Sequence, residues 1–165
     1  MPETSITAAD LAHIMALTAH ATPSEAYRAI DALAQRVFQH RLFTVTRSIL
    51  ETSEVERVYS SNPAAYPVGG RKQKQNTPWG EQVLDRGQML ICNGAAEIER
   101  VFADHALILS LGIAALINVP VLLAGRSMAT MNVARANGGF AVEDYPDMEL
   151  LAGLLLPLVI AGVTG

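Results

Sequence analysis

Two long apolar segments separated by only three residues constrain the fold of this chain more than any other feature. The segments IAALINVPVLL (113–123) and SMATMNVARA (127–136) have the β-branched and apolar residues of buried strands. Strands joined by so short a turn can pair only in the antiparallel direction. Pro120 marks an edge or a bulge, because proline cannot donate to a neighbouring strand. The sequence therefore predicts an antiparallel sheet around this hairpin, buried on both faces or on one face beside a ligand cavity.

The first forty residues predict two helices. Thr7 with Asp10 resembles a capping box, and Thr22 is followed by Pro23 at the first helical position and by Glu25. Apolar residues recur at helical spacing, and those predicted to face inward are Leu11, Ile14, Met15 and Thr18, then Ala26, Ile30, Leu33 and Val37. Three histidines are predicted to lie at the surface or an interface: His13, His20 and His40.

The rest of the chain alternates between strand and helix patterns. The predicted elements are strands at 42–50 and 55–60, a loop at 62–76, a helix from Thr77 to Gly87, a buried strand at 89–92, two short helices, the long hairpin and a final helix from Glu143-Asp144 to the chain end. The side chains of the final helix predicted to face inward are Met148, Leu151, Leu155 and Leu158. This order predicts an α+β fold.

The composition excludes several functional classes. Only 17% of the residues are charged and the net charge is −4, which argues against nucleic-acid binding through phosphate neutralisation. The single cysteine, Cys92, excludes an intrachain disulfide and a multi-cysteine metal site, and it suits the reducing cytoplasm, where we expect the protein. The longest apolar run, 150–163, is shorter than the about 18–20 residues of a membrane span, and no secretory signal is visible. We expect no nucleic-acid or membrane partner, no metal and no cofactor.

Three segments resemble the GAF domain. They are WGEQVLDRGQMLIC (79–92), LGIAALINVPVLLAGRSMATMNV (111–133) and GGFAVEDYPDMELLAGL (138–154), within a likeness that extends from about Ala26 to Gly162. The hairpin through Pro120, Gly125 and Asn132 is the most specific part, although Ala129 replaces the second glycine that the family usually has there.

The resemblance implies a fold and a general role. It implies a GAF-like six-stranded, mainly antiparallel sheet with the N- and C-terminal helices on one face and a ligand pocket under loops and short helices on the other. The chain is then one domain over 1–165, with the N-terminal helices in 1–40 and the sheet, pocket and terminal helix in 41–165. GAF domains bind cyclic nucleotides, tetrapyrroles or metabolites, usually as regulatory modules and often as dimers through the terminal helices.

The resemblance also separates subclasses. The loop motif of the cyclic-nucleotide class is absent. The catalytic relative, free methionine-R-sulfoxide reductase, works through three cysteines that fall here at Gly69, Trp79 and Leu109, and Cys92 matches none of them. Thiol–disulfide turnover needs a resolving partner, so the sequence argues against this activity.

The basic stretch GGRKQKQNTPWG (69–80) falls where the family places the lid of its pocket. Lys72 and Lys74 are interpreted as solvated side chains. Arg71 beside a helix N-terminus, with unpaired N–H groups from Trp79 onward, suits a carboxylate or a phosphate. The Trp79 ring either stacks on a planar ligand or closes the core.

Polar residues near the predicted pocket complete the candidate site. Asn118 and Asn132 lie within apolar strands and need partners, either across the hairpin or on a ligand. His105 is a candidate acid/base, and Asp104 before it is a candidate cap of the next helix. Cys92 is either a small buried side chain or a nucleophile activated by a neighbouring cation. The predicted ligand-binding residues are Tyr66, Arg71, Thr77, Trp79, Gly80, His105, Asn118 and Asn132.

Three functions follow from these expectations. The first is binding of a small anionic or polar planar metabolite by a stand-alone GAF domain with a sensory or regulatory role, which would require a separate output protein. The second is a small cofactor-independent enzyme that acts on a carboxylate-bearing metabolite, with His105 as acid/base. The third is a protein-interaction module. The apolar terminal helix predicts a homodimer through the terminal helices.

Overall fold

The computed structural model describes residues 4–162. Its helices are α1 (Ala8–His20), α2 (Pro23–Phe38), α3 (Ala95–Val101), α4 (His105–Ser110) and α5 (Tyr145–Ala161), with a π-helical turn at Gly80–Asp85. Its strands are β1 (Leu42–Ile49), β2 (Glu54–Ser60), β3 (Arg71–Gln73), β4 (Leu90–Asn93), β5 (Ala115–Leu123) and β6 (Arg126–Arg135). The predicted α+β fold is confirmed.

The six strands form one antiparallel sheet in the order β3-β2-β1-β6-β5-β4. The predicted hairpin is β5–β6, near the centre of the sheet. Strand β4 pairs with β5 only as far as Leu90 opposite Asn118, so Pro120 lies where β5 has no neighbour on that side. A bulge follows between Val121 and Leu122. Proline is tolerated there because no ladder hydrogen bond is lost.

The two faces of the sheet carry different layers because side chains alternate along each strand. Phe43, Val45, Ile117 and Met131 point towards α1, α2 and α5 and form the main core with them. The opposite face holds a smaller apolar cluster under α3 and α4, which consists of Leu42, Cys92, Ile98, Ile108, Ile113, Leu116 and Ala134. This second face also holds the candidate site.

Most of the predicted helix features are confirmed. Thr7 and Thr22 both form capping boxes, with Asp10 and Glu25 respectively. The residues predicted to face inward in α5 are buried: Met148, Leu151, Leu155 and Leu158. The predicted terminal helix is α5, which ends at Ala161. The last residue of the apolar run 150–163, Val163, lies outside the described residues.

Several predictions are wrong. Met15 is 64% exposed, because α1 buries only the narrow stripe that contains Ile14. His40 was predicted at the surface or an interface, but its side chain is buried within the chain and its Nε2 lies 2.6 Å from a carboxylate oxygen of Asp31. Lys74 was predicted to be solvated, but its ammonium group is paired with Asp85.

The predicted loop at 62–76 contains a strand, β3. Its backbone pairs with β2, with Lys72 opposite Val55. All three side chains of β3 are exposed, so neither face is apolar and no alternating pattern marks it in the sequence. It is the sixth strand that the resemblance implied.

Two kinds of feature are absent from the part of the chain that the structure describes. Among residues 4–162, no helix is long and apolar enough to cross a membrane. The same residues contain no group of three or more histidine, cysteine or acidic side chains that could hold a metal ion.

Candidate functional site

A cavity of about 270 Å³ lies on the face of the sheet that carries α3 and α4. Its floor is made by β1, β2, β5 and β6, and its walls by the segment around Tyr66, by Thr77 and Trp79, and by the turn between α3 and α4. Most of its lining is apolar, including Leu42, Val55, Phe102, Ile108, Ile113 and Leu116. A concave site with apolar walls and a few convergent polar groups is typical of small-molecule binding.

A row of polar side chains crosses the floor of the cavity. Asn118, Asn132 and Thr44 lie on adjacent strands in register. The Nδ2 group of Asn118 donates to Oδ1 of Asn132 at 2.6 Å, and Nδ2 of Asn132 donates to the Thr44 hydroxyl at 3.0 Å. The pairing across the hairpin that the sequence left open is therefore present, and both asparagines also line the cavity.

One atom of this row lacks a partner. Asn118 is 5% exposed, and its Oδ1 is buried without a hydrogen bond to any described residue. An unpaired buried acceptor costs about 1–3 kcal/mol. The row therefore ends in an acceptor without a partner, on a residue that lines the cavity.

An arginine that sequence reasoning missed lies at the other side of the cavity. Arg57 lines it from β2, and its guanidinium carbon is 4.9 Å from the centre of the Tyr66 ring. The Tyr66 hydroxyl donates to Asp104 at 3.0 Å, and an Arg57 Nη1–H donates to the Pro67 carbonyl at 3.2 Å. These contacts connect β2 to the segment around Tyr66 and Pro67, and connect that segment to the start of α4.

Burial dominates the electrostatics of this cluster. It lowers the pKa of Arg57, although Tyr66 and Asp104 act in the opposite direction. Burial, with the negative charge of Asp104 and its hydrogen bond, raises the pKa of Tyr66. The carboxylate of Asp104 accepts a hydrogen bond from Tyr66 and none from the backbone of α4. The side-chain cap of α4 that the sequence suggested is therefore absent.

The helix start at Thr77 has the predicted cap, but two of the three predicted donors, the N–H groups of Gly80 and Glu81, are used within the chain. The Thr77 hydroxyl accepts from the N–H of Gly80 at 3.1 Å, and the Thr77 carbonyl accepts from the N–H of Glu81 at 2.9 Å. Gly80 is buried, and a Cβ atom there would lie 2.7 Å from the Gln75 carbonyl oxygen. Gly80 therefore packs against its own chain. Thr77 and Trp79 line the cavity.

Three other predicted residues lie outside the lining of the cavity. Arg71 is on the edge strand β3, with its side chain 54% exposed and its Nε 3.9 Å from Glu56. His105 is half-buried, and its Nδ1 lies 2.9 Å from the Phe102 carbonyl. Cys92 is 1% exposed, and burial, with a smaller effect of Glu97, raises the pKa of its thiol to about 11.

The structure thus brings together five of the predicted ligand-binding residues: Tyr66, Thr77, Trp79, Asn118 and Asn132. It adds four polar residues that were not in the predicted set, which are Thr44, Thr46, Arg57 and Asp104. The threonines could have been found from the alternation of β1, which places them on one face with Leu42.

A wider groove of about 520 Å³ lies at the open edge of β5. It is bounded by the segment from Gly87 to Met89, by Pro120 and by the first turns of α5. None of its lining residues has a buried side-chain polar atom without a partner among the described residues. The cavity on the other face is therefore the better candidate site.

No protein-family model matches the sequence, and a search of curated proteins finds no significant match. The structure, in contrast, is similar to many solved ones. The GAF domain of the Acinetobacter phosphoenolpyruvate-protein phosphotransferase has a TM-score of 0.73 at 14% identity, over 96% of this chain and 98% of that one. The corresponding domain from Coxiella burnetii gives 0.73 at 14% identity, over 94% of each chain.

The protein has the GAF fold. A third similar structure is the phycoerythrobilin-bound GAF domain of a cyanobacterial phytochrome, with a TM-score of 0.69 at 10% identity over 93% of this chain and 94% of that one. In this GAF fold the cavity lies where the resemblance implied, under the loop and the short helices between about 62 and 112.

Proposed function

We propose that this GAF fold binds a small anionic or polar planar metabolite in the cavity over its sheet and acts as a sensory or regulatory module. The observation that carries the proposal is the cavity itself, whose walls are apolar and whose floor ends in the unpaired oxygen of Asn118. A volume of about 270 Å³ lies just below the usual range of about 300–1,000 Å³ for drug-sized ligands. The ligand is therefore a small metabolite.

The relatives support this role. The phytochrome domain is described as bound to phycoerythrobilin, which makes it a GAF domain that holds a small molecule. We further propose that the protein works in the cytoplasm, that it forms a homodimer through α1 and α5, and that a separate protein receives its signal. The acidic composition and the single buried cysteine fit the first of these points.

Thermal unfolding with a metabolite panel tests the proposal. A ligand at about 100 times its Kd adds about 2.7 kcal/mol to the free energy of unfolding, which raises the Tm of a domain of this size by roughly 5–10 °C. The variant Ala103→Trp places a large ring at a position that lines the cavity and is exposed. We expect it to abolish the shift.

Ala106→Trp is the matched control, because Ala106 is also exposed but does not line the cavity. It should leave the shift unchanged. Native mass spectrometry of the purified protein adds an independent readout of any ligand that it carries. The proposal fails if no compound stabilises the protein and no ligand is carried, or if Ala103→Trp responds as the wild type does.

A further inference from the structure

The cavity has a cation at one side and an unpaired acceptor at the other, with apolar walls between them. On this basis we propose that its ligand is a small monocarboxylic acid whose carboxylate is bound by Arg57, whose ring or chain fills the apolar middle, and whose far end donates an O–H or N–H hydrogen bond to Asn118. This inference rests on the proposed function and assigns to it a ligand class and two residues that determine selectivity.

Arg57 lacks a counter-ion among the residues that the structure describes. No carboxylate in residues 4–162 lies within 4.0 Å of its guanidinium nitrogens. Its Nη1 group donates to the Pro67 carbonyl, and its buried Nε has no partner. A guanidinium group has five N–H donors in a fork that matches a carboxylate. Arg57 is half-buried, and a partly desolvated cation with unused donors is stabilised when an anion pairs with it.

The carboxylate of Asp104 acts on the charge of Arg57 but does not form an ion pair with it. Asp104 lines the rim of the cavity, and its Oδ2 accepts the hydrogen bond from Tyr66. Its negative charge would repel a ligand with two or more charges. Arg57 is the single cationic residue in the described lining, and at the helix N-terminus the N–H groups of Gly80 and Glu81 are used by Thr77. These facts favour a singly charged carboxylate over a phosphate.

The far end of the ligand is determined by Asn118. Its Nδ2 donates one of its two N–H groups to Asn132, and its Oδ1 is the buried side-chain atom without a partner among the described residues. Oδ1 accepts but cannot donate. Asn118 and Arg57 are separated by three strand spacings, about 14 Å across the sheet, and by two residues, about 7 Å, along the strands. The two polar groups of the ligand must therefore lie at opposite ends of an apolar body.

Calorimetric titration of the whole protein with short aromatic acids tests the inference. The probes are 4-hydroxybenzoate, 4-hydroxyphenylacetate and 3-(4-hydroxyphenyl)propanoate, which differ only in the length of the arm. We expect at least one to bind. Its neutral amide should bind roughly 10- to 100-fold more weakly, because a hydrogen bond to a charged group is lost. Its 4-methoxy analogue should lose a similar factor, because it offers Asn118 no donor.

Substitutions of Arg57 and Asn118 test which residue binds each end of the ligand. Arg57→Met should weaken the acid and leave the amide unchanged, so that the acid-to-amide preference disappears. Arg71→Met is the matched control, since that arginine is exposed on β3 outside the cavity, and it should preserve the preference. Asn118→Leu should remove the preference for hydroxyl over methoxy. If this variant does not fold, the comparison of the two analogues on the wild-type protein decides the same point.

The outcomes separate this inference from the proposed function. If compounds of other classes bind in a way that Ala103→Trp abolishes, while all three acids fail or bind no better than their amides, the ligand class is wrong and the binding role stands. Equal binding of hydroxy and methoxy analogues overturns the assignment of Asn118. If no compound of any class binds and the purified protein carries no ligand, both proposals fall.

Discussion

At the scale of single residues, Gly80 shows how closely the chain packs beside the cavity. A Cβ atom at this position would lie 2.7 Å from the backbone oxygen of Gln75. A backbone atom cannot move away as the end of a flexible side chain can. We therefore expect Gly80→Ala to lower the free energy of unfolding by about 1–3 kcal/mol, measured by urea denaturation.

Gly153→Ala is the control for this substitution. Gly153 is in α5, and a Cβ atom there would meet nothing within 4 Å. Alanine in a helix is more stable than glycine by about 0.5–1 kcal/mol, so this variant should gain stability. Equal stability of Gly80→Ala and the wild type would show that the chain around Gln75 relaxes easily.

Arg71 was predicted at the ligand site, whereas Arg57, which lines the cavity, was missed. Strict alternation in β2 would place Val55, Arg57 and Tyr59 on one face. A bulge shifts the register so that Arg57 lies opposite Thr46 and Tyr59 lies opposite Val45. Arg57 thus stays on the cavity face with Val55, and the bulge turns only Tyr59 towards the helices. Because a bulge leaves no mark that alternation can detect, the sequence groups Arg57 with Tyr59 and does not single it out as a cavity residue.

At the scale of elements, a polar cluster joins α2 to the sheet. Asp31 of α2 accepts from the Tyr59 hydroxyl at 2.6 Å, and its other carboxylate oxygen is 2.6 Å from Nε2 of His40. The Tyr59 ring stacks on Tyr27 with the ring centres 5.6 Å apart. These contacts connect the helix layer to β2, which also carries Arg57 at the cavity.

The tyrosines of this cluster predict a loss of stability at alkaline pH. Burial raises the pKa of Tyr27 to about 12, and burial with Asp31 raises the pKa of Tyr59. Below about pH 10 both the folded and the unfolded chain keep these protons, so the stabilisation is complete. Above about pH 10 the unfolded chain releases them first, and the free energy of unfolding falls. Urea midpoints between about pH 9 and 11 measure this fall.

The variant Tyr59→Phe tests whether Tyr59 is responsible for the loss of stability at alkaline pH. It removes one titrating hydroxyl but keeps the ring that stacks on Tyr27, so the midpoint should fall less steeply with pH than in the wild type. An unchanged slope would show that Tyr59 is not one of the groups. The variant should also be less stable near neutral pH by about 1 kcal/mol, because Asp31 loses a hydrogen bond.

Elements that bury an apolar face could be predicted from the sequence, and exposed ones could not. The β5–β6 hairpin, both capped N-terminal helices and α5 have strong local patterns and were predicted with nearly the observed bounds. Strand β3 has three exposed polar side chains and exists through backbone pairing with β2. Its existence depends on where β2 lies in the sheet, which a local pattern does not contain.

At the scale of the whole molecule, the helix layer leaves apolar side chains uncovered on the side away from the cavity. Met15 of α1 is 64% exposed, and Leu150 and Ile160 of α5 are 38% and 37% exposed. Exposed apolar surface of this kind is typical of protein–protein contacts. We expect the protein to form a homodimer through this layer, which sedimentation velocity would detect as twice the mass of 17.7 kDa.

The double variant Met15→Glu with Leu150→Glu should shift this dimer to monomer. The free-energy cost of burying two carboxylates in an apolar interface exceeds the free energy that such contacts contribute to association. Val142→Glu is the control, since Val142 is 69% exposed but precedes α5. It should sediment as the wild type does. Because the substitutions lie in the helix layer, across the sheet from the cavity, ligand binding should persist in the monomer. A monomeric wild type, or a double variant that stays dimeric, would contradict an interface in this layer.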